Sequence, residues 1–211
     1  MSDVRVVMLG PPGAGKGTQG AKIESTFDID HVSTGDILRA NKDMKTEHGT
    51  PREYMEAGEL LPDVVMEAVV EEALSGRDSF ILDGYPRTIG QAEHLDAVTD
   101  LDIVLHLDVD RSELIDRLSG RRVDPETGEN YHVEFDMPDN EAVRERLIQR
   151  EDDQPAKVER RLDVYDEETA PVVEYYVDRE EYVKIDGNGS PDEVFEQIAQ
   201  VIADHGVAPT K

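Results

Sequence analysis

Four apolar runs punctuate the chain: Val4–Leu9, Ser79–Asp83, Ile103–Leu107 and Tyr182–Ile185. Each is short and rich in Val, Ile, Leu or aromatics, as strands buried on both faces of a parallel sheet are. His31-Val-Ser33 is a fifth, shorter candidate. Between these runs the apolar spacing changes to a helical period. Residues 19–27 read as a helix, and Pro62–Leu74 gathers Val65, Met66, Val69, Val70 and Ala73 on one face. Asp110–Leu118 predicts a helix opened by a capping box of Asp110 with Glu113. Ser190–Ile202 predicts another, with Ser190 and Glu193 around Pro191 and with Val194, Phe195, Ile198, Val201 and Ile202 turned inward. Strands alternating with helices mean an α/β fold: a five-stranded parallel sheet with helices on both faces. Ligands bind such sheets at the carboxyl ends of strands, so the loops after Leu9 and Asp83 are where chemistry is expected.

Two stretches break the alternation. Residues 33–61 read as small helices with no strand between them. Residues 120–153 hold a hairpin-like piece, Val123–Phe135, around the turn Glu126-Thr-Gly-Glu129, with Tyr131, Val133 and Phe135 on one face. Both are expected to be mobile insertions above the sheet's carboxyl edge, leaving 1–32, 62–119 and 154–211 as the core domain. A long helical segment follows from Gln154 to about Tyr176, where Pro171 predicts a restart or a kink.

Composition narrows the chemistry. None of the 211 residues is cysteine, which excludes disulfides, thiolate metal sites and thiol nucleophiles. The 49 acidic residues against 22 basic give a net charge of −27. Such a surface repels nucleic acid and anionic membranes, so neither is expected as a partner. The acids are spread through periodic segments, as solvated faces of folded helices are, and the Lys-poor balance is similar to that of proteins from salt-accumulating halophiles. No apolar run approaches a membrane span and no signal-peptide pattern opens the chain, which predicts a cytoplasmic protein. No surplus apolar face is evident, which predicts a monomer.

The most specific stretch is Gly10-Pro-Pro-Gly-Ala-Gly-Lys-Gly-Thr18, set between a strand and a helix start. Backbone N–H groups in such a turn converge on one spot, and the helix dipole favours an anion there. Lys16 is placed to reach the terminal phosphates of a nucleoside triphosphate. This is the phosphate loop of a P-loop NTPase-type three-layer fold. Gly17 stands where that pattern has a Ser or Thr, and Thr18 follows, so the hydroxyl contact to magnesium is not assured. In Ile81-Leu-Asp-Gly-Tyr-Pro-Arg87, Asp83 ends a strand beside the loop and can hold Mg²⁺ through water. Arg87 follows, and Gln91 is spaced to read a base edge. Arg39, one turn into the helix opened by Ser33-Thr-Gly-Asp36, is either a phosphate grip or a surface arginine. Arg117, Arg121, Arg122, Arg150, Arg160 and Arg161 form a local reversal of sign that a polyphosphate substrate needs, although Arg122 and Arg160 can equally serve ion pairs. Asp152 and Asp153 are marked only by their position after Arg150. The six histidines show no ligand spacing.

Taken in order, the phosphate loop through Gln19, Ser33–Arg39, Asp83–Thr88, Gly120–Arg122, Tyr131-His132, Arg150–Asp153 and Thr169–Pro171 resemble the adenylate kinases of the long-lid type across essentially the whole chain. The resemblance implies reversible transfer between MgATP and AMP to give two ADP, with 33–61 as the AMP-binding domain and 120–153 as the lid. It implies that Gly13, Ala14, Gly15, Lys16, Gly17 and Thr18 wrap the ATP phosphates. Arg117 would stack on the ATP adenine, with Asn130, Tyr131 and the backbone of Gly189 beside that nucleotide. Arg121, Arg150 and Arg161 would clamp the transferring phosphoryl group. Thr34, Arg39, Glu59, Leu60, Leu61, Gly84, Tyr85, Pro86, Arg87 and Gln91 would hold AMP, Thr34 and Gln91 setting base specificity. Some lids of this family carry zinc on four ligands; here the first pair falls at Asp124 and Thr127, which predicts a metal-free lid held by hydrogen bonds. Two other readings remain open: a kinase with GTP as donor or a pyrimidine monophosphate as acceptor, and a non-catalytic nucleotide-binding protein on the same fold.

Overall fold

The computed structural model describes residues 3–134 and 136–210. Five strands, β1 (Arg5–Leu9), β2 (Asp30–Ser33), β3 (Phe80–Asp83), β4 (Ile103–Asp108) and β7 (Tyr182–Asp186), form a sheet in the order β2-β3-β1-β4-β7, with every neighbouring pair parallel. All five sequence candidates are strands, the short one at His31 included. β1 lies at the centre and β3 and β4 flank it, so the loops after Leu9 and Asp83 leave the same edge side by side.

The core follows from period 2 on a sheet covered on both faces. Val6 and Met8 of β1 enter one apolar layer together with Ile23 and Phe27 of α1 (Lys16–Phe27), Leu114 and Leu118 of α6 (Arg111–Gly120), Val158 and Leu162 of α8 (Pro155–Val164), and Ile198 and Ile202 of α10 (Pro191–Asp204). Val7 and Leu9 point the other way. They join Leu38 of α2 (Thr34–Ala40), Met66 and Val70 of α4 (Asp63–Leu74), Leu95 of α5 (Ile89–Val98) and Tyr176 of α9 (Ala170–Tyr176). Each fully buried aliphatic side chain contributes about 1.5–3 kcal/mol of transfer free energy.

Local signals set several helix ends. α10 opens with the expected Ser190–Glu193 capping box, and α3 (Pro51–Ala57) with an unforeseen one of Thr50 with Glu53. The box expected at Asp110 does not form: its side chain makes no cap bond, and its backbone N–H instead donates to Asn188 Oδ1 at 3.0 Å. The Gln154–Tyr176 segment is continuous but interrupted: α8 passes through a π-turn at Tyr165–Thr169 into α9, whose first turn carries Pro171. The wider turn accommodates the bond that proline cannot donate. The sequence gives no clear sign of α5, because its buried positions are Gln91, Ala92 and Leu95, a polar and a small residue beside one leucine.

In 120–153 the hairpin is real but begins earlier than expected: β5 (Arg121–Val123) pairs antiparallel with β6 (Asn130–His132). Val133, expected on one face with Tyr131 and Phe135, is 41% exposed while Tyr131 is half-buried; Phe135 lies outside the described residues. A short helix, α7 (Glu141–Arg146), and one 3-10 turn (Glu151–Asp153) complete the segment. Within 33–61 the described chain holds α2 and α3 and no strand after Ser33, only an isolated bridge of Thr46 with Gly49.

Candidate active site

The loop leaving β1 wraps an open cradle. Gly15, the N-cap of α1, has φ 93°, and a Cβ built there would meet nothing within 4 Å, so the position faces free space. Gly10, by contrast, is tight: a Cβ there would lie 2.7 Å from the Leu107 carbonyl oxygen. Glycine is thus required at one end for close approach and at the other for a left-handed turn. Lys16 begins α1 and folds back, its Nζ donating to the carbonyls of Gly10 at 2.7 Å and Pro11 at 3.0 Å. Burial lowers its pKa to about 8; Asp83 opposes this, while Arg87, Arg161 and Arg121 add to it.

Asp83 ends β3 against the loop, its Oδ2 3.9 Å from where a Cβ on Gly17 would stand. Burial alone would raise its pKa, but His31 and the charges of Lys16 and Arg87 outweigh that and hold the carboxyl below the ordinary value. His31 Nε2 lies 3.8 Å from Asp83 Oδ2, and its ring fits only because position 20 is glycine, where a Cβ would fall 2.4 Å from it. The turn beyond Asp83 brings Gly84, Tyr85, Pro86 and Arg87 to the same edge. Arg87 donates from Nε to Gly84 O at 2.7 Å, and burial lowers its pKa. Thr34 is fully buried beneath Gly84 and donates to the Asp83 carbonyl at 3.1 Å.

From the hairpin side come the remaining cations. Arg121 grips Asp153 with two bonds, 2.8 and 2.5 Å. Arg161 reaches Asp152 at 2.9 Å and Asp153 at 3.2 Å. Arg150 donates to Asn130 Oδ1 at 3.0 Å; burial, then repulsion from Arg121 and Arg39, lowers its pKa to about 10. Arg39 forks onto Asp36 at 3.2 and 2.6 Å. Burial is likewise the first cause that lowers the pKa of Arg161, and repulsion from Arg121 and Arg39 adds to it as it does for Arg150; an anion among these side chains relieves that repulsion. Arg117 donates to the Gly187 carbonyl at 2.9 Å, which sets it beside the loop that carries Gly189.

The sequence profile described as adenylate kinase matches residues 8–181. Curated adenylate kinases from three archaea are similar over nearly all of both chains. That of Natronomonas pharaonis is 58% identical, covering 97% of this chain and 99% of its own. That of Haloarcula marismortui is 52% identical, covering 97% and 99%. That of Halobacterium salinarum is 47% identical, covering 96% and 98%. The chain belongs to the adenylate kinase family. Its function is accordingly that of an adenylate kinase, a nucleoside monophosphate kinase on a P-loop α/β fold.

Within this adenylate kinase frame, several expected site residues already have protein partners. Tyr131 OH donates to Glu129 at 2.6 Å, and Gln91 is buried with both ends of its amide bonded. Glu59 is exposed, Leu60 half-buried and Leu61 buried at the junction of α3 with α4. Ala14 is buried, while Gly13, Gly17 and Thr18 are half-buried along the cradle. Of the ambiguous arginines, Arg122 donates to the carbonyls of Ser119 and Arg121, and Arg160 lies exposed 4.0 Å from Glu59.

Sequence reading gave one important residue no role and missed another. Asp153 is completely buried and anchors both Arg121 and Arg161; in a chain with 49 acids its type carried no signal. Arg146 forks onto Asp124 at 2.7 and 2.5 Å. Asp124 also accepts from the Glu126 N–H at 3.0 Å and is completely buried, and Arg146 holds its carboxyl far below the ordinary value. Among the described residues no three His, Cys, Asp or Glu side chains are grouped to hold a metal ion, and no helix is long and apolar enough to cross a membrane.

Proposed function

We propose that this chain catalyses MgATP + AMP ⇌ 2 ADP at the crowded edge above β1 and β3. The observation that carries the reading is the convergence of Lys16, Arg87, Arg121, Arg150 and Arg161 on one place in a chain of net charge −27, with pKa values of Lys16, Arg87, Arg150 and Arg161 depressed. Asp83, Asp152 and Asp153 offset part of this positive charge, and a polyanion between the cations offsets the rest. The core is 1–32, 62–119 and 154–211, with 33–61 as the AMP-binding domain and 120–153 as the lid.

Gly13 to Thr18 receive the ATP phosphates, and Lys16 exchanges its two carbonyl partners for phosphate oxygens. Arg117, Asn130, Tyr131 and Gly189 border the ATP nucleoside. Arg121 and Arg161, aligned by Asp152 and Asp153, meet the transferring group together with Arg150, which Asn130 holds. Thr34, Arg39, Glu59–Leu61, Gly84–Arg87 and Gln91 receive AMP. Magnesium arrives with ATP. A single buried, ionised Asp83 suits it, since Mg²⁺ keeps most of its waters and takes one carboxylate plus phosphates. When bound, the ion neutralises charge on the phosphates. The acceptor is a phosphate oxygen whose second pKa of about 6 leaves it ionised at neutral pH, so no general base is needed. Catalysis is positioning and charge stabilisation, and closure of the two inserted segments excludes the water that would otherwise hydrolyse ATP. Because Arg146 occupies Asp124, the lid works without zinc. The protein acts as a cytoplasmic, halophilic monomer.

The test is ADP formation from MgATP with AMP, CMP, UMP and GMP in turn. Transfer to AMP above all others is expected. Preference for a pyrimidine acceptor would overturn the acceptor assignment, and tight nucleotide binding without transfer would overturn catalysis.

A further inference from the structure

Gln91 is 2% exposed, and its amide is held at both ends. Oε1 accepts from the Arg87 backbone N–H at 2.8 Å, and Nε2 donates to Asp63 Oδ1 at 2.7 Å. These partners fix which end is which, because a backbone N–H only donates and a carboxylate only accepts. Asp63, at the start of α4, is fixed in turn: its Oδ2 accepts from the Thr88 hydroxyl at 2.9 Å, and Thr88 Oγ1 accepts from the Gln91 N–H at 3.2 Å. The ring Asp63–Thr88–Gln91 is closed and tight. A Cβ on Gly90 would lie 3.1 Å from Asp63 Oδ2.

An amide offers two N–H donors and two lone pairs. Asp63 takes one donor and Arg87 one lone pair, leaving one of each. A 6-aminopurine presents an N6–H donor and an N1 acceptor, which match that remainder. A 6-oxopurine presents an O6 acceptor and an N1–H donor, which match only an amide turned by 180°. The turned amide would face an N–H with an N–H and a carboxylate with a carbonyl oxygen, and buried mismatches of this kind carry a full desolvation penalty.

We propose that Asp63 is a specificity-determining positioning residue: it locks the Gln91 amide in the orientation that admits a 6-aminopurine monophosphate and rejects a 6-oxopurine. This rests on Gln91 as the reader of the acceptor base. Thr88 and Gly90 complete the lock, one by bonding Asp63 and the other by leaving it room.

The experiment measures kcat/KM for AMP and IMP, with MgATP fixed, in the parent protein and in Asp63→Ala, Asp63→Asn and Gln91→Leu. The two Asp63 variants guard each other, since Asn keeps the volume if Ala fails to fold. The lock requires that the IMP:AMP ratio rise at least about tenfold in Asp63→Ala or Asp63→Asn, the change one buried hydrogen bond commands, with KM for ATP unchanged. A residue that merely ties α4 to α5 would lower the melting temperature and both rates together and leave the ratio fixed; that result overturns the proposal. If Gln91→Leu moves the ratio and neither Asp63 variant does, the lock falls and Gln91 stands. If Gln91→Leu also leaves it unmoved, the base is read elsewhere and both fall.

Discussion

Lys16 shows how much a single residue type reveals and what it leaves open. Its spacing after three glycines points to a phosphate, and its ammonium sits on two carbonyls of its own loop. Burial and three nearby arginines put its pKa at about 8 rather than the 10.5 of a free lysine. The free protein therefore holds the charge below pH 8 and loses it above, whereas bound phosphate restores it. We expect kcat/KM for MgATP to fall as pH rises through about 8, with kcat, which reports the complex, falling later. A flat kcat/KM profile from pH 7 to 9.5 would refute this. Arg87 and Asp83 were equally legible, because a strand end followed by a short turn has few places to go. Asp153 was not: its meaning lies in being buried under Arg121 and Arg161, and burial of one acid among many is settled by tertiary packing alone.

The segment 120–153 is the least ordinary element. α7 has no buried residue, and Ile148 beyond it is 51% exposed, so apolar burial does little to hold it to the hairpin. What holds it is the pair of buried Asp124 with half-buried Arg146 and the bridge of Val123 with Ile148. Removing Arg146 leaves the buried Asp124 carboxylate without its cation, which is the costly way to break such a pair. Asp124→Ala or Arg146→Ala should raise KM for ATP about tenfold or more, the equivalent of 1.4 kcal/mol, while KM for AMP and the main thermal transition hold. Arg146→Lys should rescue only in part, since an ammonium cannot replace a two-bonded fork. Equal rises in both KM values would refute the role given to the pair. The hairpin was visible in its turn residues and alternation. The partnership of Asp124 with Arg146, 22 positions apart, was not, because no local pattern couples them.

For the whole molecule, charge sets the conditions of folding. At net −27 the acids repel across the surface, and molar salt shortens the Debye length to about 3 Å, which removes most of that repulsion. Exposed pairs such as Arg52–Asp43 and Lys184–Asp108 are screened as well, but they contribute little to begin with. The Arg121–Asp153 and Arg146–Asp124 pairs, each with a buried carboxylate, are screened less. Between 0.1 and 2 M KCl the melting temperature should therefore rise, while KM for both nucleotides also rises as their attraction to the arginines is screened. A melting temperature indifferent to KCl would refute the charge argument. The sequence by itself determined the sheet, its two apolar layers, the phosphate loop and the acidic surface, because each depends on residue type and spacing along a few consecutive positions. Only the tertiary structure decided which acid serves which arginine, where Lys16 rests and how the Gln91 amide is turned, because those depend on distances between residues that the chain itself keeps far apart.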